Sequence, residues 1–277
     1  MPYFILYGIS NFMFVLMYYV IGYRKKVIVG NIYASFPDKN EKEKKNIVKG
    51  FYRHFCDLIV EAIKNFSVNP KQIEKRIKFE NIEVLNKYYD QGKSVVTIGG
   101  HYGNWEMFAV AVGKVSKLKQ LAIYKPLSNT FFDGKMKSSR GISGLGMIPM
   151  KETKSYFQEE NQPPRTIIFG SDQWPSNPIR AYWTNFLGRE TPFLFGAEIY
   201  AKQFDWPVVY CEITRDKRGH FTVKYHDLTD NPTQESEGAI IQKFVELLEK
   251  TIERDPAYWL WSHKRWKKTK EEVFDDK

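Results

Sequence analysis

Between residues 2 and 23 the chain carries no charged side chain, and Arg24, Lys25 and Lys26 follow at once. The run is just long enough to cross a bilayer, which takes about 20 apolar residues. Tyr18, Tyr19 and Tyr23 stand near its end, where aromatic belts lie. A cleavable leader would carry its positive charge ahead of the apolar run and a small-residue cleavage site behind it. Here the charge comes behind, and no Ala-x-Ala stands there. Residues 1–23 are therefore read as a transmembrane or membrane-anchoring helix, and residues 24–277 as the domain it tethers. The positive flank puts that domain in the cytoplasm. Ser10 and Asn11 fall near the middle of the run and keep a second reading open, a buried or interfacial hairpin that never crosses.

Charge narrows the partners. The 42 Lys and Arg residues exceed the 32 Asp and Glu residues by ten. Such an excess favours an anionic partner: nucleic acid, anionic lipid, a phosphorylated substrate or an acidic carrier protein. Segment 23–54 alone holds nine basic against three acidic residues, which directly after an anchor reads as contact with anionic headgroups. At 43% hydrophobic and 27% charged residues, the chain is neither a polytopic membrane protein nor disordered. Aromatic residues reach 16%, which in a basic chain hints at work near lipid. The two cysteines, Cys56 and Cys211, exclude a disulfide framework and a cysteine-only zinc site. Both lie in apolar patterns and are expected to be buried thiols, as suits a reducing cytoplasm.

Past the basic segment, residues 41–66 place Ile47, Val48, Phe51, Phe55, Leu58, Ile59, Ala62, Ile63 and Phe66 at helical spacing. After Asn69-Pro70 the elements alternate. Helices are predicted over 80–90, 104–116, 130–141, 152–160, 194–204 and 233–253, the last capped by Thr233. Strands are predicted over 94–98, 120–124, 147–150, 165–169, 208–214 and 220–227. Residues 172–190, rich in Pro, Gly, Asn and Trp, read as a long loop. The fold class is α/β, a mixed sheet flanked by helices behind a single-pass anchor.

The sharpest local feature is the run Ser94-Val-Val-Thr-Ile-Gly-Gly-His-Tyr-Gly-Asn-Trp-Glu106. A buried strand runs into two glycines, a histidine and then a helix, and ligands bind at the carboxyl ends of strands in such sheets. His101 and Glu106 are five residues apart, which is off a common helical face. They converge only if His101 precedes the helix and Glu106 lies in its first turn, with Asn104 as the cap. Glu106 would then hold the imidazole while the other ring nitrogen faces substrate, as a general base requires. No metal site is expected, because no His-Glu-x-x-His pattern appears and the other histidines show no ligand spacing around His101.

Gly-Gly-His101-Tyr-Gly-Asn-Trp-Glu106 resembles the His-x4-Asp/Glu motif of the glycerolipid acyltransferase superfamily. More narrowly it resembles the bacterial lipid A biosynthesis (late) acyltransferase family, where a His-x-Gly-Asn-Trp-Glu form is usual. Further blocks are similar in the same order. They include the segment from Arg24 through Asn31 and Ser35-Phe-Pro37, the acidic Glu61, Tyr124-Lys125-Pro126, and Arg140 with Gly144. Asp172-Gln173, Phe186-Leu187-Gly188, Thr191-Pro192 and the carboxyl-terminal Trp261-x-His263-x-Arg265-x-Lys267 complete the likeness. Lys125 departs from the pattern, since the family often has Arg there.

The resemblance implies acyl transfer without a cofactor. A fatty acyl chain would pass from an acyl-carrier-protein or coenzyme A thioester, as co-substrate, to a hydroxyl of a lipid A precursor. His101 would be the base, Glu106 its partner, and Arg140 the donor to the oxyanion or to a substrate phosphate. Asn104, Lys125, Asp172 and Gln173 are the expected substrate-binding residues, with Asp172 and Gln173 either shaping the pocket or positioning Arg140, or else forming a loop-capping pair. No Gly-x-Ser-x-Gly elbow is present, so no covalent intermediate is required. Trp174-Pro175 and Phe186-Leu187 read either as the lining of an acyl tunnel or as ordinary core. The carboxyl-terminal run from Tyr258 to Lys270 interleaves aromatics with five basic residues between 264 and 270. It reads as a surface for anionic lipid or acidic carrier protein rather than nucleic acid, or as a packed end with a basic tail. The expected location is the cytoplasmic face of a bacterial inner membrane. Two rival functions stay open: acylation of another membrane lipid, such as an amino-acid lipid, glycolipid or lysophospholipid, and a tethered binder of anionic lipid or nucleic acid.

Overall fold

The computed structural model describes every residue except Val68, Glu160, Asp276 and Lys277, with the side chain of Pro70 also set aside. The apolar run forms helix α1 (Tyr3–Val15), continued by a π-helical turn over Leu16–Ile21 that ends at Gly22. Helices α2 (Lys25–Ser35) and α3 (Glu41–Asn65) follow. Helix α3 opens with a reciprocal cap. Asn40 accepts from the Glu43 N–H, and the Glu43 carboxylate accepts from the Asn40 N–H, so two otherwise orphaned donors are satisfied.

The remaining chain alternates largely as the sequence predicts. In order come α4 (Pro70–Glu74), β1 (Ile77–Glu80), α5 (Glu83–Asp90), β2 (Val95–Gly99), α6 (Trp105–Ala111), β3 (Lys119–Tyr124) and α7 (Thr130–Arg140). Then come β4 (Gly146–Pro149), α8 (Thr153–Gln158), β5 (Arg165–Gly170), β6 (Tyr182–Phe186), β7 (Arg189–Phe193), α9 (Gly196–Phe204), β8 (Val208–Lys217), β9 (His220–Thr229), α10 (Ala239–Arg254) and α11 (Lys270–Asp275). The end expected at Glu160 for the helix over 152–160 lies outside the described residues.

Seven strands form one sheet in the order β1-β9-β8-β2-β5-β3-β4. All neighbours are parallel except the β8–β9 hairpin. Strand β2, Val-Val-Thr-Ile-Gly, shows no alternation of apolar and charged residues because both of its faces are covered. Val96 and Ile98 face a core built with α3, α9 and α10, while Val95 faces a second core with α5 and α6. Cys56 and Cys211 are both free and buried.

Several segments differ from expectation: α4 and β1 precede the helix predicted from residue 80, which starts at Glu83; α6 ends at Ala111 rather than 116; and two further differences lie in 172–190 and 233–253. Within the predicted loop 172–190, β6 begins an antiparallel hairpin with β7. Its tip is the pair Leu187-Gly188, both at positive φ, which matches the right-handed twist of the flanking strands. The last long helix begins at Ala239 rather than Thr233 and carries no cap of its own. The Glu198 carboxylate of α9 instead accepts from the N–H groups of Gly238 and Ile241 at 2.6 and 3.1 Å. A tertiary contact therefore sets that boundary, and Thr233 donates to Asp205.

Candidate active site

Strands β2 and β5 are parallel neighbours, and Gly99 is in register with Gly170. Two residues beyond each glycine stand His101 and Asp172. The sheet register thus brings together side chains that lie 71 residues apart in sequence. The His101 Nδ1–H donates to Asp172 Oδ1 at 2.6 Å, and the His101 backbone N–H donates to Asp172 Oδ2 at 2.8 Å. Trp259 Nε1–H donates to the same Oδ2 at 2.8 Å. Asp172 is buried and His101 is partly open, with side-chain exposures of 1% and 24%. This arrangement leaves the Nε2 lone pair on the open side of the ring, without a protein hydrogen bond among the described residues. The ring rests edge-on against Trp105, with centroids 5.2 Å apart.

Two glycines make the arrangement possible. Gly103 has φ +61°, a left-handed conformation that turns the chain from the histidine into α6. Gly170 lies under the imidazole, where an added Cβ would stand 3.1 Å from His101 Cε1.

The electrostatics follow from these contacts. Burial disfavours a charged ring, but the charge and hydrogen bond of Asp172, with a smaller effect of Glu106, more than offset it. The pKa of His101 accordingly lies above its ordinary value. Burial also works against the Asp172 carboxylate, yet His101 and the donors around it hold its pKa down at about 2. Asp172 is therefore a fixed anion across the neutral range.

Glu106 does not hold the imidazole. Its two carboxylate oxygens accept from Arg140 Nη2 at 3.0 and 2.8 Å. Glu106 does sit in the first turn of α6, as that contact requires, but a tertiary partner takes its carboxylate: Arg140, the last residue of α7. The carboxylate that orients the histidine is the more distant Asp172, which the sequence reading placed among pocket-shaping residues.

Asn104 caps α6 as the sequence predicts. It is fully buried, accepts from the Met107 N–H at 2.7 Å as the cap of α6, and donates to Glu61 Oε2 at 2.6 Å. Both ends of its amide are engaged within the protein, which fixes the start of α6 against α3. Glu61 in turn accepts from Tyr7 of α1 at 2.7 Å. Burial pushes the Glu61 carboxyl up to about 7. Lys125 is exposed at the end of β3, and Gln173 is half-buried beside Asp172.

A cavity of about 290 Å³ lies beside the Glu106–Arg140 pair. Phe66, Leu127, Phe132 and Met136 supply apolar walls. Asn65 also lines it, and among the described residues both polar atoms of its buried amide lack a partner, as does Arg140 Nε. The sequence reading missed Asn65. It closes an amphipathic helix, and nothing local to it signals a pocket.

The carboxyl-terminal run is largely a packed end. Trp259, Trp261 and Arg265 are fully buried. Tyr102 forms a β-bridge with Trp259, and the Leu260 N–H donates to the His101 carbonyl at 3.1 Å. His263 Nε2 accepts from the Trp174 N–H at 2.9 Å. The aromatics of this segment thus brace the motif, while Lys264, Lys267 and Lys268 remain exposed. Phe186 and Leu187 are core residues as well.

Comparison with known proteins gives a consistent result. Residues 1–268 match the family model described as bacterial lipid A biosynthesis acyltransferase. A lipid A biosynthesis acyltransferase of Haemophilus influenzae is 24% identical over 250 residues, covering 89% of this chain and 79% of that protein. A lipid A biosynthesis palmitoleoyltransferase of Escherichia coli is 20% identical over 256 residues, covering 88% and 79%.

Proposed function

As this chain belongs to the bacterial lipid A biosynthesis acyltransferase family, it is an acyltransferase, and we propose that it moves a fatty acyl chain from an acyl-carrier-protein thioester to a hydroxyl of a lipid A precursor, with His101 as base and Asp172 as its positioning carboxylate. The observation that carries this reading is the 2.6 Å bond from His101 Nδ1 to Asp172. It fixes the tautomer with Nε2 as acceptor, the form a general base needs.

In the reaction, His101 Nε2 takes the proton of the acceptor hydroxyl as its oxygen attacks the thioester carbonyl. The tetrahedral oxyanion collapses, the C–S bond breaks, and the departing sulfur takes the proton back from His101. An ester and a free carrier thiol result, with no covalent enzyme intermediate. Asp172 stays ionised throughout and stabilises the imidazolium formed in passing. Glu106 holds Arg140 in place, and Arg140 offers its remaining N–H groups to an anionic oxygen of the substrate. The adjoining cavity suits the junction of a polar group and an acyl chain, since Asn65 supplies an unpaired amide among apolar walls. The net charge of +10 favours an acidic carrier protein as donor. Such donors are intracellular, which puts the enzyme on the cytoplasmic face of the inner membrane.

The test is transfer from radiolabelled acyl-carrier-protein thioesters to an under-acylated lipid A precursor in detergent. A heavier lipid A that disappears in His101→Ala supports the reading. Thioester loss without a heavier lipid A moves the acceptor to another membrane lipid. Undiminished turnover in His101→Ala removes the base assignment.

A further inference from the structure

The helical run Tyr3–Ile21 has the length and apolar character of a membrane span, with 19 residues and a mean hydropathy of 1.8. It does not stand free of the domain. Leu6, Ser10 and Phe14 are buried on the side that packs along α3. The seam between the two helices is polar. Tyr7 donates to Glu61 at 2.7 Å, and Ser10 donates to Asp57 at 2.6 Å. Arg218, from the β8–β9 turn, donates to Asp57 at 2.6 Å and to Asn11 at 2.9 Å.

Cations flank this helix along its whole length. Arg76 lies 3.3 Å from the ring centre of Tyr3, and Arg218 lies 4.4 Å from that of Tyr7. Arg53 lies 5.1 Å from the ring centre of Phe14, and Lys25 5.8 Å from that of Tyr18. The opposite face is apolar and open, with Phe4, Phe12 and Val20 exposed by 75%, 69% and 72%.

These two faces constrain the orientation. Standing upright, a 19-residue helix is about 28 Å long and fills the hydrocarbon core. Its four flanking cations would then lie at four depths, with Arg218 and Asp57 near the midplane, where charge is most costly. The charged helix α3, packed alongside, would be carried in with it. Lying flat, the same helix puts all four cations at headgroup level and sinks only its apolar face. We propose that the first helix lies in the plane of an anionic bilayer surface, docked on its domain, rather than crossing the bilayer. Ser10 and Asn11, anomalous in a span, are then the residues that hold the helix to the domain.

The orientation also places the cavity. Helices α1 and α3 run antiparallel, so Ile63 and Phe66, both exposed, lie at the end of α3 where α1 begins. Phe66 continues into the rim of the cavity that holds Glu106 and Arg140. The orientation itself does not depend on the acyl-transfer reading.

The experiment reads depth. Cys56 and Cys211 are buried, so single cysteines introduced by Phe4→Cys, Phe12→Cys and Val20→Cys in the full chain take an environment-sensitive fluorophore selectively. The labelled proteins are bound to vesicles of phosphatidylethanolamine and phosphatidylglycerol whose acyl chains are brominated at a shallow or a deep carbon. A flat helix gives the same quenching order at all three positions, with the shallow quencher stronger. A helix that spans gives the deep quencher as the stronger one at position 12 and the shallow one at positions 4 and 20, which overturns the proposal. Absence of quenching at all three positions also overturns it. The double variant Lys25→Glu/Arg53→Glu is expected to lower partitioning onto these vesicles at least tenfold. Unchanged partitioning contradicts the placement of those cations at the headgroups.

Discussion

Asp172 receives two hydrogen bonds from His101, one from the ring and one from the backbone N–H. The double contact exists because both residues lie two positions beyond a registered glycine pair on adjacent parallel strands. Ring orientation and loop position are thereby set by one carboxylate. A histidine held in this way has its tautomer chosen before substrate arrives, which is the preorganisation that general-base catalysis exploits.

Asp172→Asn keeps the shape of this contact and removes its charge. Turnover is expected to fall by about 10²–10⁴-fold, the range associated with a mispositioned or mis-tautomerised base. Steady-state transfer rates check this, with circular dichroism to confirm the fold. A fall of less than tenfold contradicts the role.

Glu106 and Arg140 act as a unit. Glu106→Gln and Arg140→Lys are each expected to weaken transfer, and the double variant to be little worse than either alone. The coupling in a double-mutant cycle on kcat/KM should be about 1 kcal/mol, because the pair is only partly buried. Simple additivity would show that the two side chains work separately.

Gly170→Ala places a methyl group against the imidazole, 3.1 Å from Cε1. Gly170 has no positive φ, so the backbone accepts alanine. The expected outcome is a large loss of kcat with a Tm within a few degrees of the parent. Equal activity would mean that the ring has room to shift.

Two buried groups give opposite pH signatures in stability. Burial raises the folded pKa of Glu61 to about 7, so the native state holds its proton more tightly than the unfolded chain. Relative to Glu61→Gln, the parent is expected to lose stability as pH rises from about 4.5 to 7, by at most about 3 kcal/mol. Burial, aided by Arg215, lowers the folded pKa of His54 to about 4. Relative to His54→Gln, the parent is expected to gain stability as pH rises from about 4 to 6.5. Denaturant melts of the three proteins across pH 4–8 check both slopes. Slopes of the same sign contradict the burial argument for one of the two groups.

Much of this site is legible in the chain, and the part that is not has a physical cause. His101 after a strand ending in Gly-Gly, and Asp172 just past the end of another strand, are visible from local pattern alone. Their pairing is not, because it depends on β5 lying next to β2 and on a register no local signal encodes. The short spacing between His101 and Glu106 points to a contact, and α6 starts where that contact requires, but Arg140 of α7 takes the Glu106 carboxylate instead. The β6–β7 hairpin hides because its tip places Leu187, a poor turn former, at φ 52°. Only Gly188 hints at it. The aromatic and basic carboxyl-terminal run resembles a binding surface in composition, but Trp259 and Trp261 are buried and close the back of the motif. Ser10 and Asn11 mark the helix in which they sit as unusual, while their partners Asp57 and Arg218 come from distant parts of the chain.

The most direct measurement is the pH dependence of kcat/KM for acyl transfer in the parent, Asp172→Asn and Glu106→Gln. His101 must be unprotonated to act, so the parent rate should rise with pH through a pKa above the ordinary histidine value. Removing the Asp172 charge leaves burial opposed only by the smaller effect of Glu106, and the acid limb should move to lower pH in Asp172→Asn while the plateau drops. Glu106→Gln should move the limb much less. A limb that shifts more in Glu106→Gln than in Asp172→Asn would contradict the assignment and return the histidine to the nearer carboxylate.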